Sequence, residues 1–151
     1  MKIVIIDGQG GRLGQLLVES LMKEKISAEI LAIGTNAMAT SAMLKAGARQ
    51  GATGENPVIV ACRDADIILG PIGILSADAL LGEITPAMAA AVGQSRAYKL
   101  LLPVSNCRHR VVGVRKMSLN ELVLEAISEL KKILDGETND WLGGRAYRRR
   151  E

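Results

Sequence analysis

A short β-branched run, Lys2 to Ile6, breaks directly into Asp7-Gly8-Gln9-Gly10-Gly11 and from there into a helical pattern. Ile3, Val4, Ile5 and Ile6 leave no room for polar alternation, which predicts a strand covered on both faces, as in a parallel sheet flanked by helices. From Arg12 to about Lys25, Leu13, Leu16, Leu17, Val18, Leu21 and Met22 recur at helical spacing. Ala28 to Ile33 then supplies a second strand, so the first part of the chain predicts a βαβ unit.

The same alternation continues. Asn36 predicts the N-cap of a helix through Ala46, ended by Gly47. Asn56 to Ala61 and Asp66 to Leu69 read as two further strands, the second running into Gly70-Pro71-Ile72-Gly73. Thr85-Pro86 opens a helix that stops near Gly93. Tyr98 to Val104 and Arg110 to Val114 read as the last two strands. Ser118-Leu119-Asn120-Glu121 is a capping box before an apolar stripe that runs from Leu119 to Leu134, with Gly136 as the stop. The expected fold class is α/β, a doubly wound, mostly parallel, Rossmann-like sheet of five or six strands with helices on both faces. One domain is expected over residues 1–136. A basic tail, 137–151, is expected to be mobile and pinned, if at all, by Trp141 and Leu142.

Composition bears on partners. At 151 residues the chain has room for one sizeable core. It contains no apolar run near the ~20 residues that cross a bilayer. One Trp, two Tyr and no Phe leave few platforms on which single-stranded bases could stack, and nucleic acid is not an expected partner. The net charge of +3 comes from 19 basic against 16 acidic residues, a mixed surface. Basic residues concentrate only at Arg108, Arg110, Arg115 and Lys116 and at Arg145, Arg148, Arg149 and Arg150, where a solvated end and a phosphate-neutralising tail are the alternatives. Two cysteines, Cys62 and Cys107, make no disulfide framework, and the strand-like start is no secretory signal, so a reducing cytoplasm is expected. With one His beside them they lack the paired spacing of a metal site, and none is expected.

In a doubly wound sheet ligands sit at the carboxyl ends of the strands, where strand order reverses. The candidate site residues are therefore Gly8, Gln9, Gly10, Gly11, Arg12, Leu13 and Gly14 after the first strand, Thr35 and Asn36 after the second, and Gly70, Pro71 and Gly73 further on. A glycine loop between strand and helix lets backbone approach a phosphate, while the free N–H groups and positive dipole end of the helix stabilise the anion. The expected ligand is a nucleotide or dinucleotide, with NAD or NADP as candidate cofactor. A phosphorylated metabolite bound by a non-catalytic sensor or adaptor, or a purely structural loop, is the alternative. The second strand ends in Gly34-Thr35-Asn36 rather than in an acid that would bond ribose hydroxyls, and no Arg or Lys follows before Lys45 to pair with a 2′-phosphate. Thr35 and Asn36 either line the cleft or cap the next helix.

Read as Gly8-x-x-Gly11-x-x-Gly14 with Arg12-Leu13-Gly14, the loop resembles that of dihydrodipicolinate reductases over about a dozen residues. A wider succession comprises Gly34-Thr35-Asn36, Ala39 to Ala48, Thr53-Gly54-Glu55-Asn56, Gly70-Pro71-Ile72-Gly73-Ile74 and Gly82-Glu83-Ile84-Thr85-Pro86. It resembles a family of small bacterial proteins described only as a domain of unknown function, over roughly Met1 to Leu134. That resemblance implies a Rossmann-like fold and a cytoplasmic location, and no activity.

Other chemistry is thinner. Cys107, Arg108 and His109 follow a predicted strand at the ligand end, so either a thiolate activated by positive charge or a packed cysteine beside a turn histidine fits them. Asp64 with Asp66, or Glu55 with Glu83, would supply acid or base chemistry only if they converge on the cleft. Met38, Met43 and Met88 fall on predicted helices and are expected in the core. With no separate substrate domain, an oxidoreductase would need a partner subunit, which makes a homodimer through the Ala- and Met-rich helices the expected assembly.

Overall fold

A computed structural model of the chain describes residues 1–104 and 110–136. It is an α/β fold built on a five-stranded, all-parallel sheet of order β3-β2-β1-β4-β5. The strands are β1 (Lys2–Asp7), β2 (Glu29–Gly34), β3 (Gln50–Thr53), β4 (Ile67–Pro71) and β5 (Tyr98–Leu102), and the helices α1 (Arg12–Lys23), α2 (Ala37–Lys45), α3 (Glu55–Ala61), α4 (Pro86–Gln94) and α5 (Leu119–Leu134). Strand order reverses between β1 and β4. That places the crevice expected of such sheets beside the glycine loop and Pro71.

Side chains of β1 alternate between two cores. Ile3 and Ile5 face a layer of Leu13, Leu17, Val18 and Leu21 from α1, Met43 from α2, and Val123, Ile127 and Leu130 from α5. Val4 and Ile6 face Val58 and Ala61 of α3, Ile74, Ile84, and Met88 and Val92 of α4. Strands covered on both sides need no polar alternation, and Ile3 to Ile6 are at most 1% exposed. The helix starts follow their caps: Asn36 accepts the N–H of Ala39, Thr85 that of Met88, and Ser118 that of Glu121 while Glu121 returns a bond from the N–H of Ser118. Among the described residues no helix is long and apolar enough to cross a membrane.

Three expectations need correction. Residues 56–61 are not a strand but most of α3: Gly54, at φ 102°, turns the chain, Pro57 sits in the first turn where its missing N–H costs nothing, and a parallel crossover has to join β3 to β4. Arg110 to Val114 forms no strand, because Gly113 takes φ 87° and Val112 stands 95% exposed, off the sheet. Met38 is 68% exposed, although Met43 and Met88 are in the core as expected. The strand that the sequence hid is β3, an edge strand whose Gln50-Gly51-Ala52-Thr53 carries no apolar run.

Candidate functional site

At the carboxyl end of β1 the loop closes with the N–H of Gly11 donating to the carbonyl of Gly8 at 2.9 Å. Gly11 has φ 71° and packs so close to α2 that an added Cβ would stand 2.6 Å from the Cα of Ala39. Gly14 performs the close helix packing: a Cβ there would meet Met43 Sδ at 2.5 Å and Asp7 Cβ at 2.9 Å. Gly10 differs from both, with open space where a Cβ would stand. The third glycine of the usual dinucleotide fingerprint is displaced by one residue, yet Gly14 fills its packing role.

Two carboxylates hold this loop. Asp7, 6% exposed, accepts the N–H of Gly8 at 2.9 Å and that of Gly14 at 2.6 Å. Burial pushes its carboxyl above the ordinary range; the N–H groups of Gly14, Gly8 and Leu13 pull the other way, and the negative charge of Glu83 adds to the rise. Glu83 arrives from the loop between β4 and α4. Its Oε2 accepts the N–H of Gln9 at 2.8 Å, the side-chain N–H of Asn36 at 3.0 Å and the hydroxyl of Thr35. Burial would raise this carboxyl too, but the bonds from Thr35, Gln9 and Asn36 outweigh it and hold Glu83 below its ordinary value. Asn36 also donates to the carbonyl of Gln9 at 2.9 Å.

Between the loop and the end of β4 lies a cleft of about 150 Å³, lined by Asp7, Gly8 to Leu13, Pro71, Leu80, Val104 and Leu119. Of the predicted site residues, Gly8, Gln9, Gly10, Gly11, Arg12, Leu13 and Pro71 line it. Thr35 and Asn36 do not: Asn36 caps α2 and both turn to Glu83. Gly70 and Gly73 are also away from it. Gly70 lets β4 lie against β1, since a Cβ would stand 2.5 Å from the carbonyl oxygen of Ile6, and Gly73 is buried in the 3-10 turn Ile72–Leu75. Among the described residues the N–H groups of Gly10 and Arg12 meet no protein acceptor, and the Arg12 side chain is exposed beside them.

The paired carboxylates separate. Asp64 and Asp66 accept bonds from Lys2, Asp64 from its Nζ at 2.8 Å and Asp66 from its N–H at 2.7 Å, at the opposite end of the sheet. Glu55 bonds the hydroxyl of Thr85 at 2.5 Å, whereas Glu83 reaches the glycine loop. Cys62 is buried and its thiol is pushed up to about 11 by that burial, leaving it no thiolate near neutral pH. Cys107, Arg108 and His109 lie outside the described residues, as does the tail 137–151. Among the described residues no cluster of His, Cys, Asp and Glu is placed to hold a metal. Asp7 and Glu83 are the functional candidates that sequence reasoning underweighted; Asp7 directly precedes the first glycine, whereas Glu83 gives no local signal.

No curated protein matches the chain. Among solved structures it is similar to a dodecameric FMN-dependent UbiX-like decarboxylase from Escherichia coli O157:H7, with 19% identity, 88% of this chain and 76% of that chain covered, and a TM-score of 0.41. A family model described as "Domain of unknown function (DUF3842)" matches residues 2–135, nearly the whole of the described fold, and the chain belongs to that family.

Proposed function

We propose that the chain binds a nucleotide or dinucleotide at the carboxyl ends of β1 and β4, with its phosphate on the N–H groups of Gly10 and Arg12. The observation that carries this reading is that pair of N–H groups, without a protein acceptor, at the positive end of α1 beside an exposed guanidinium. Gln9, Gly11, Leu13 and Pro71 shape the cleft around it; Thr35 and Asn36 act through Glu83, and Gly70 and Gly73 through the close course of β4 and the turn after it. NAD and NADP are the cofactors proposed. The resemblance of the loop to that of dihydrodipicolinate reductases supports them. A cytoplasmic homodimer, paired through the Ala- and Met-rich α2, where Met38 is 68% exposed, belongs to the same proposal.

A second reading is favoured by the size of the cleft and by the use of its donors. About 150 Å³ is smaller than the ~300–1,000 Å³ of usual ligand pockets, and Asp7 and Glu83 already take the N–H groups of Gly8, Gln9 and Gly14. A small phosphorylated metabolite then replaces the nucleotide. Calorimetric titration with NAD, NADH, NADP, NADPH, ATP, AMP and FMN separates the two. The first reading expects at least one of them to bind with a Kd below about 1 mM. Gly10→Ala, which adds a methyl group where nothing stands within 4 Å, is expected to leave the melting temperature unchanged and to abolish that binding. Failure of the whole panel would overturn the nucleotide reading.

A further inference from the structure

At the carboxyl end of β2, where a dinucleotide fold commonly carries the acid that bonds ribose, this chain has Thr35 and Asn36. Those two residues instead hold a carboxylate brought from 47 and 48 positions further along the chain. All three donors to Glu83 converge on Oε2. Among the described residues its second oxygen, Oε1, has no protein partner. A carboxylate fixed through one oxygen and open at the other is an acceptor of fixed position for hydroxyl donors.

We propose, on the basis of the nucleotide reading above, that Oε1 of Glu83 accepts the hydroxyls of the ligand's ribose, so that the site takes nucleotides with a free 2′,3′-diol and rejects those with a 2′-phosphate. The surroundings agree in sign. A 2′-phosphate would bring a second anion against an ionised carboxylate, and no Lys or Arg occurs between Lys25 and Lys45 to neutralise it. The placement of Glu83 is enforced by its own loop. The N–H of Asp78 donates to the carbonyl of Ile84 at 2.7 Å and that of Ile84 to Ala79 at 3.2 Å, which ties the two sides of the Glu83 turn together. Leu80 and Ile84, buried in the core, anchor it on either side.

Glu83→Gln is the informative variant, because the amide oxygen can still accept from Gln9, Thr35 and Asn36 while a donating NH2 replaces Oε1. Isothermal titration of wild type and variant with AMP, 2′-deoxy-AMP, NAD and NADP reads the effect. In the wild type, AMP and NAD are expected to bind about tenfold or more tightly than 2′-deoxy-AMP and NADP respectively, the scale of one charge-assisted hydrogen bond. In Glu83→Gln those ratios are expected to fall toward one, with the melting temperature lowered by a few degrees because the neutral amide accepts the same three bonds without the charge. Equal wild-type affinity for AMP and 2′-deoxy-AMP, with Gly10→Ala still abolishing both, would leave the nucleotide reading standing and overturn the role of Glu83. The wild-type comparison needs no variant and decides the matter even if Glu83→Gln folds poorly. Absence of binding by all four ligands would overturn both.

Discussion

The loop after β1 and the loop between Ser76 and Glu83 stand together at the same end of the sheet. In the first, left-handed backbone falls on Gly11, at φ 71°, and on Gln9, at φ 50°. In the second it falls on Asp78, Leu80 and Leu81, at φ 63°, 54° and 59°, and only then on a glycine, Gly82, at φ 87°. Left-handed backbone costs a residue with a β-carbon roughly 1–2 kcal/mol, so the second loop is held by its surroundings and the first largely by its own residues. The glycine loop is thus a local structure. The Glu83 loop is a tertiary one, and the hydrogen bonds that Glu83 makes to Gln9, Thr35 and Asn36 join the two.

If the first loop depends on missing side chains, supplying one should damage it most. Gly11→Ala places a Cβ 2.6 Å from the Cα of Ala39 on a backbone with φ 71°, and Gly34→Ala drives one into the backbone nitrogen of Thr40. Neither neighbour is a flexible side chain that can step aside. Each substitution is expected to cost about 3 kcal/mol or more, read as a fall in the urea midpoint at constant m. Gly10→Ala, three bonds away in the same loop, should cost nothing measurable. Equal losses at Gly10 and Gly11 would break the distinction between a packing glycine and an open one.

The next effect lies in the join. Glu83→Ala leaves the N–H of Gln9 and the side chains of Thr35 and Asn36 without their shared acceptor, at about 1–3 kcal/mol near neutral pH. Because folding lowers the Glu83 carboxyl, its contribution is present above its unfolded value, near ~4.3, and is lost as pH falls through the lowered folded value. The gap between wild type and Glu83→Ala should therefore narrow on acidification from pH 6 to pH 3. Asp7 acts in the opposite sense: its raised carboxyl contributes below its unfolded value, near ~3.9, and that contribution is lost as pH rises through the folded one. Removing Glu83 takes away one cause of that rise, so the Asp7 response offsets part of the narrowing without reversing it. Denaturant melts across that range check it, and a gap that stays constant with pH would show that Glu83 is no ionised clamp.

What the sequence made legible follows the same division. Wherever structure is enforced locally, the residues announce it: the β-branched β1, the loop from Gly8 to Gly14, the Asn36 and Thr85 caps and the Ser118 capping box are all readable in place. Wherever it is enforced from a distance, they do not. Strand β3 is exposed at the sheet edge and has no apolar signature, and α3 buries only Val58 and Ala61, too short a stripe to show a helical period. Arg110 to Val114 has the composition of a strand, but Gly113 at φ 87° breaks its extended backbone and it does not join the open edge of β5. Glu83 looked like any solvated acid because its partners lie 47, 48 and 74 residues away. The glycine loop was visible as a candidate anion site; the two carboxylates that already take part of its N–H groups were not.

The smallest effect tests the strain itself. Leu81 is 94% exposed at φ 59°, so its side chain contributes almost no burial to offset an unfavourable backbone. Leu81→Gly removes the β-carbon penalty in the folded state but also loosens the unfolded chain, and these terms oppose. The folded-state relief, roughly 1–2 kcal/mol, exceeds the entropic loss of roughly 0.5–1 kcal/mol, leaving a net gain of about 0.5–1 kcal/mol. For a domain of this size that is a rise of about 1–4 °C in the melting temperature. The equivalent change at Leu80, 8% exposed and part of the cleft wall, should lower it instead, because the buried side chain outweighs the relief. Two neighbouring leucines with nearly the same backbone angle and opposite responses would establish that the loop is held from outside. A loss at Leu81 as large as that at Leu80 would mean that its exposed side chain has a role of its own at this end of the sheet.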